Sequence, residues 1–176
     1  DRMILKRFNI LILLITLLFM DISIVNAADI QAKAAVVMDV ETGRVLYKQN
    51  SSQKLPMAST TKIMTVILAI ESGRLDEIVE ISRNASIQEG SSVYLKEGEK
   101  IKLEDLLYAI MLRSGNDASV AVAEHLCGSV EKFAELMNEK ARAIGAYNTN
   151  FTNPHGLPDD NHYTTAYDLG LITCYA

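Results

Sequence analysis

One stretch limits what this chain can become: Pro56-Met57-Ala58-Ser59-Thr60-Thr61-Lys62, running on into Ile63-Met64-Thr65-Val66-Ile67-Leu68-Ala69-Ile70. Its apolar residues do not keep to one face of a helical wheel, which predicts a helix buried on most sides. Pro56 sits just before the first turn, and Gly73, just past Glu71-Ser72, supplies a C-terminal stop. Lys62 is the only charged residue between Lys54 and Glu71. An ammonium in such a segment relaxes by lowering its pKa, because burial penalises the charged form. Ser59 lies three residues earlier, on the same face one turn back. A hydroxyl beside a desolvated amine has a base to take its proton. The unpaired N–H groups and dipole of a helix start favour a developing oxyanion. The same residues admit a plainer account, in which Ser59 caps the helix and Lys62 reaches out to water. The apolar setting of the lysine, and what lies downstream, favour catalysis.

Residues 1–27 read as a secretory signal peptide. Met3 fits an initiator, with Asp1-Arg2 upstream of it; Lys6-Arg7 form a basic start, and Ile10 to Met20 an apolar run broken only by Thr16. Val25-Asn26-Ala27 offers small residues for cleavage before Ala28. The alternative is an uncleaved anchor, but Asp21 and Ser23 cut the run short of the roughly 20 residues a span needs. The expected location is therefore extracytoplasmic: secreted, on the outer face of the membrane or in the wall. Residues 28–176 are enough for one domain with a real core. Net charge is −5 with no basic cluster, which argues against nucleic acid as a partner. Cys127 and Cys174 sit in apolar helical contexts, favouring buried free thiols over a disulfide. His155 and His162 flank Asp159-Asp160 in a polar loop, where ordinary loop contacts are favoured over a metal; no metal site is assigned.

Ala34–Met38 and Arg44–Tyr47 flank a turn ending in Gly43 and predict a β-hairpin. Ile78–Ile81 and Val93–Leu95 suggest a second β region, with Lys96–Glu99 as a turn. From Leu103 the period becomes helical. Leu103, Leu106, Leu107, Ile110 and Met111 mark one helix; Asp117–Leu126, closed by Gly128, the next; Phe133, Leu136, Met137 and Ile144, closed by Gly145, a third. Thr165–Asp168 forms a capping box for a last helix. The chain stops inside an apolar helical pattern, which predicts a truncated sequence.

Ser114-Gly115-Asn116 falls between two helices. It reads either as a turn with Asn116 or Asp117 capping the next helix, or as a polar tip projecting a hydroxyl and an amide into a cleft. Paired with Ser59-x-x-Lys62 after a signal peptide and a hairpin, it becomes specific. The chain resembles the serine D-alanyl-D-alanine carboxypeptidases, the low-molecular-mass penicillin-binding proteins, through Ala34–Tyr47, Leu55–Glu71, Leu106–Gly128 and Phe151–Leu169. The resemblance implies a β-lactamase/transpeptidase-like α/β (α+β) fold, an antiparallel sheet flanked by helices. It implies that Ser59 is the acylated nucleophile, Lys62 its base and Ser114 a proton shuttle to the leaving amine, while Asn116 holds the substrate backbone. The implied reaction removes the terminal D-alanine of peptidoglycan stem peptides without a cofactor, and β-lactams are the implied covalent inhibitors. Asn153-Pro154-His155-Gly156-Leu157 also looks like the family, with no chemical step assigned.

The family's third motif, Lys-Thr-Gly, does not occur here; the only Thr-Gly is Thr42-Gly43, after Glu41 in the hairpin turn. In the family that strand binds the substrate carboxylate and supplies an oxyanion N–H. The expectation is an N-terminal piece of the domain, lacking its C-terminal strands and inactive alone, with peripheral membrane association left to a segment beyond residue 176. A β-lactamase resolving its ester through a downstream Glu-x-x-Leu-Asn glutamate is disfavoured, since no glutamate follows Glu139. A D,D-endopeptidase shares every motif seen, and a non-catalytic cell-wall-binding module is the rival from another class.

Overall fold

The computed structural model describes residues 30–176 together with Arg2. The expected signal peptide, Arg2 apart, lies outside the described residues. One compact unit runs from Ala32 to Ala176. It opens with the expected hairpin: β1 (Ala35–Met38) pairs antiparallel with β2 (Val45–Gln49). The Asp39 carboxylate closes the turn by accepting from the Thr42 N–H at 2.8 Å and the Thr42 hydroxyl at 2.6 Å. A 3-10 turn, Ala58–Thr60, leads into α1 (Thr61–Glu71).

The second β region differs from the expected one. β3 (Ile78–Glu80) pairs with β4 (Lys100–Lys102), Ile78 opposite Lys102 and Glu80 opposite Lys100. Val93–Leu95 is not a strand: its Val93 and Leu95 N–H groups donate to the Asp117 carboxylate instead of to a ladder. A side chain far along the sequence has taken the place of the strand partner, which no local alternation signals. A single turn, α2 (Arg83–Ser86), follows β3.

The helices α3 (Leu103–Arg113), α4 (Asn116–Cys127), α5 (Val130–Ile144) and α6 (Ala166–Tyr175) fall where the helical period predicted them. Gly128 and Gly145 end α4 and α5 in the left-handed region. Ser129 caps α5 through the Lys132 N–H, and Thr165 caps α6 through the Asp168 N–H. Of the two readings open for the start of α4, side-chain capping does not hold. Its N-cap is Gly115, and neither Asn116 nor Asp117 caps it, because both side chains are engaged elsewhere.

Two apolar clusters make the core. One joins Val79, Ile81, Leu103, Leu106, Ile110 and Val120; the other joins Met64, Phe133, Met137, Phe151 and Ile172. Burying one such side chain contributes roughly 1.5–3 kcal/mol. α1 and α4 serve both, since Ala69 packs in the first and Leu68 in the second, as do Val122 and Ala123. α1, which carries Lys62, is thereby packed into both clusters. α1 is less enclosed than its sequence suggests, however. Ile70 is 54% exposed, and with Ile63, Val66, Met111 and Tyr175 it lines an apolar groove of about 270 Å³.

Candidate active site

The segment entering α1 is pinned before the chemistry begins. Leu55 and Thr164 exchange backbone hydrogen bonds at 2.8 and 3.0 Å, and Asn150 and Tyr163 do the same beside them. Met57 is buried in the second cluster. The chain then turns through Ala58, a non-glycine residue at φ +47°, and presents Ser59 to solvent. Ser59 therefore sits in the 3-10 turn ahead of α1, not in its first α-helical turn.

Lys62 is 3% exposed. Its Nζ donates to Asn116 Oδ1 at 2.7 Å and to the His155 carbonyl at 2.7 Å. Burial lowers its pKa to about 8, in the direction the sequence predicted. Asn116 is also buried, and its Nδ2 donates to the Glu89 carbonyl at 2.6 Å. Its amide orientation is thus fixed from both ends, with oxygen toward the lysine. Ser114 ends α3 at φ +57°, a left-handed conformation uncommon outside glycine, asparagine and aspartate. Ser59, Lys62 and Ser114 line one open cleft of about 300 Å³ with Thr60, Ile63, Ile110 and Met111. The four residues singled out in the sequence thus converge, three on the cleft wall and Asn116 behind Lys62.

The Asn153–Leu157 loop, given no role from sequence, forms the back of the site. Asn153 Oδ1 accepts from the Gly156 N–H at 2.7 Å and its Nδ2 donates to the Leu157 carbonyl, making a self-closed turn. Two successive carbonyls of that turn face α1: Pro154 accepts from the Thr65 hydroxyl at 2.6 Å, and His155 from Lys62. Gly156, at φ +90°, lies so close that a Cβ there would come within 1.8 Å of the Ala58 carbonyl oxygen. His162 completes the support. Thr152 N–H donates to its Nδ1 at 3.0 Å, so Nε2 carries the proton and donates to Thr61 Oγ1 at 2.7 Å. Burial keeps both rings neutral, pushing His155 down to about 4 and His162 below its ordinary value. Sequence reasoning saw these histidines only as loop residues. The Lys62, Thr65 spacing on one helical face was the available sign that something polar lies opposite.

Among the described residues no group of three or more histidine, cysteine, aspartate or glutamate side chains converges as a metal site, and Cys127 and Cys174 are free and half-buried. An exposed hydroxyl, a buried amine of depressed pKa one turn on, and a second hydroxyl across the cleft form a set whose chemistry suits acyl transfer to a serine.

Comparison with known proteins bears on the family and the fold. Residues 21–176 match the family model of the D-alanyl-D-alanine carboxypeptidases. The chain is 43% identical over 147 residues to D-alanyl-D-alanine carboxypeptidase DacF of Bacillus subtilis, covering 81% of this chain and 38% of that protein. It is 35% identical to DacC of Escherichia coli, covering 84% of this chain and 40% of that protein. Among solved structures, D-alanyl-D-alanine carboxypeptidase DacD from Francisella tularensis superposes with a TM-score of 0.80 at 41% identity, over 84% of this chain and 37% of that one. Penicillin-binding protein 5 from Haemophilus influenzae does so with a TM-score of 0.80 at 35% identity, over 86% and 46%. The chain belongs to the D-alanyl-D-alanine carboxypeptidase family and carries its transpeptidase-like fold. It spans roughly two-fifths of the length of these curated relatives.

Proposed function

We propose that the protein carrying this chain is a serine D-alanyl-D-alanine carboxypeptidase acting on peptidoglycan stem peptides outside the cytoplasmic membrane. The observation that carries this reading is the buried Lys62 amine, held 2.7 Å from Asn116 Oδ1 one turn from the exposed Ser59. In its neutral form Lys62 takes the Ser59 proton as Oγ attacks the carbonyl carbon of the penultimate D-alanine. N–H groups at the start of α1 stabilise the oxyanion. The tetrahedral intermediate collapses, Ser114 passes a proton to the departing D-alanine amine, and water then hydrolyses the ester on Ser59. Asn116 keeps one Nδ2 proton for the substrate backbone while its oxygen holds Lys62. Recognition of the substrate carboxylate belongs to a Lys-Thr-Gly strand, which the 176 residues do not contain.

A second reading is a D,D-endopeptidase. A protein named D-alanyl-D-alanine endopeptidase, from Pseudomonas aeruginosa, is 34% identical over 143 residues, covering 80% of this chain and 46% of that protein. Both readings share the acyl-enzyme. Intact-mass analysis of the full natural chain treated with penicillin should show a single adduct, absent in Ser59→Ala. A label elsewhere, or none, would sink the assignment. Release of free D-alanine from a stem peptide, against cleavage of a crosslinked dimer, then separates the two readings.

A further inference from the structure

The residue after Asn116 has no part in the chemistry above, yet it is the most completely buried carboxylate near the site. Asp117 is 0% exposed. Its Oδ2 accepts from the Ser92 hydroxyl at 2.6 Å and from the Val93 and Leu95 N–H groups at 3.1 Å each. Its Oδ1 accepts from the Ala118 N–H at 2.9 Å, with Val93 shared at 3.2 Å. Three of the four positions of Ser92–Leu95, a non-repetitive segment that carries no ladder of its own, are therefore tied to one side chain. Burial would raise this carboxyl, but the donors from Ser92, Leu95, Val93 and Ala118 together hold it below the ordinary carboxylate value.

The anchored segment returns to the site immediately upstream. Ser91 accepts from the Asn116 backbone N–H at 2.7 Å, and Glu89 accepts from Asn116 Nδ2 at 2.6 Å. Gly90 between them, at φ +82°, lies against that amide: a Cβ there would come within 2.8 Å of Asn116 Nδ2. The Glu89 carbonyl is what forces the Asn116 amide to turn its oxygen toward Lys62, and the Glu89 carbonyl is positioned by a segment whose other end is fixed to Asp117.

We infer that Asp117 is a positioning residue for acyl transfer: it clamps Ser92–Leu95, and through Glu89 and Ser91 sets the Asn116 amide that holds Lys62. The inference deepens the acyl-transfer reading and rests on it for its kinetic arm. Its structural arm stands without it. Asp117→Asn is the incisive change, because every partner of the carboxylate is a donor. An isosteric amide must set its own N–H groups against backbone N–H groups on one side.

The test uses the full natural chain. In the wild type the Asn116 side-chain amide should show one slowly exchanging proton, and amides of 91–95 should exchange slowly. In Asp117→Asn, the Asn116 signal should move toward that of a solvated amide and exchange over 91–95 should rise tenfold or more, while α5 is unchanged. The limiting rate of acylation by a β-lactam should fall at least tenfold. An unmoved Asn116 signal, or a limiting rate within tenfold of wild type, overturns the inference. The latter outcome with a loosened 91–95 makes Asp117 a loop anchor only. Should Asp117→Asn fail to fold, Ser92→Ala, which removes one of the loop's three donors, is measured instead. It must shift the Asn116 signal and slow acylation at least threefold, or the inference fails. If wild type forms no adduct at all, the acyl-transfer reading falls, and the clamp is judged on the Asn116 signal and exchange alone.

Discussion

At Lys62 two requirements meet in one atom. A base that works near neutral pH must be neutral part of the time, and burial lowers this amine to about 8. The sign follows directly: below pH 8 the ammonium predominates and cannot accept the Ser59 proton. Acylation of the full natural chain should therefore rise about tenfold per pH unit up to roughly pH 8 and level off above it. Lys62→Arg keeps the charge and the reach but not the titration, since arginine stays protonated. It should lose on the order of 10²–10⁴-fold in acylation rate. Stopped-flow rates across pH 5–10 check both; a Lys62→Arg variant within about tenfold of wild type would make Lys62 a structural lysine. The partners at this scale were only half visible beforehand. Ser59, Lys62, Ser114 and Asn116 announce themselves by residue type and spacing. The His155 carbonyl does not, because a backbone acceptor has no residue-type signature.

Among the elements, the Asn153–Leu157 loop is the one whose shape the site depends on. Gly156→Ala would place a methyl group 1.8 Å from the Ala58 oxygen at a backbone angle side chains avoid. We expect a loss of more than about 2 kcal/mol in urea unfolding, together with slower acylation. A loss under about 1 kcal/mol would show that the loop and the Ser59 turn move apart freely. The helices were legible because their period and caps are local; Thr165 capping α6 through Asp168 is an instance. The second sheet was legible only in β3, which falls within the expected Ile78–Ile81; its partner was not. Val93-Tyr94-Leu95 has strand composition but donates to Asp117, whereas the true partner of β3, Lys100-Ile101-Lys102, has too short an apolar pattern to stand out. The signal at Asp117 was its position beside a motif residue, which by itself reads as helix capping.

For the whole molecule, the two clusters joined through α1 and α4 leave one face of α1 open. Ile63, Val66, Ile70, Met111 and Tyr175 line an apolar groove there. Residues 28–176 expressed alone should bind a hydrophobic dye and release no D-alanine, and the full natural chain should do neither the first nor fail at the second. A cooperatively folding 28–176 that turns over substrate would show that the site closes without a Lys-Thr-Gly strand. The family's localisation of activity would then not hold here.

Ala58 sets a ceiling on how sturdy this protein can become. Its φ of +47° costs a residue with a Cβ roughly 1–2 kcal/mol, while glycine would sit there without strain and lose part of that gain to a freer unfolded chain. A laboratory selection for heat resistance alone would find Ala58→Gly rewarding. The same exchange would slacken the turn that presents Ser59, so survivors should melt higher by a few degrees and acylate more slowly. Evolution toward durability and evolution toward turnover pull on this one peptide unit in opposite directions.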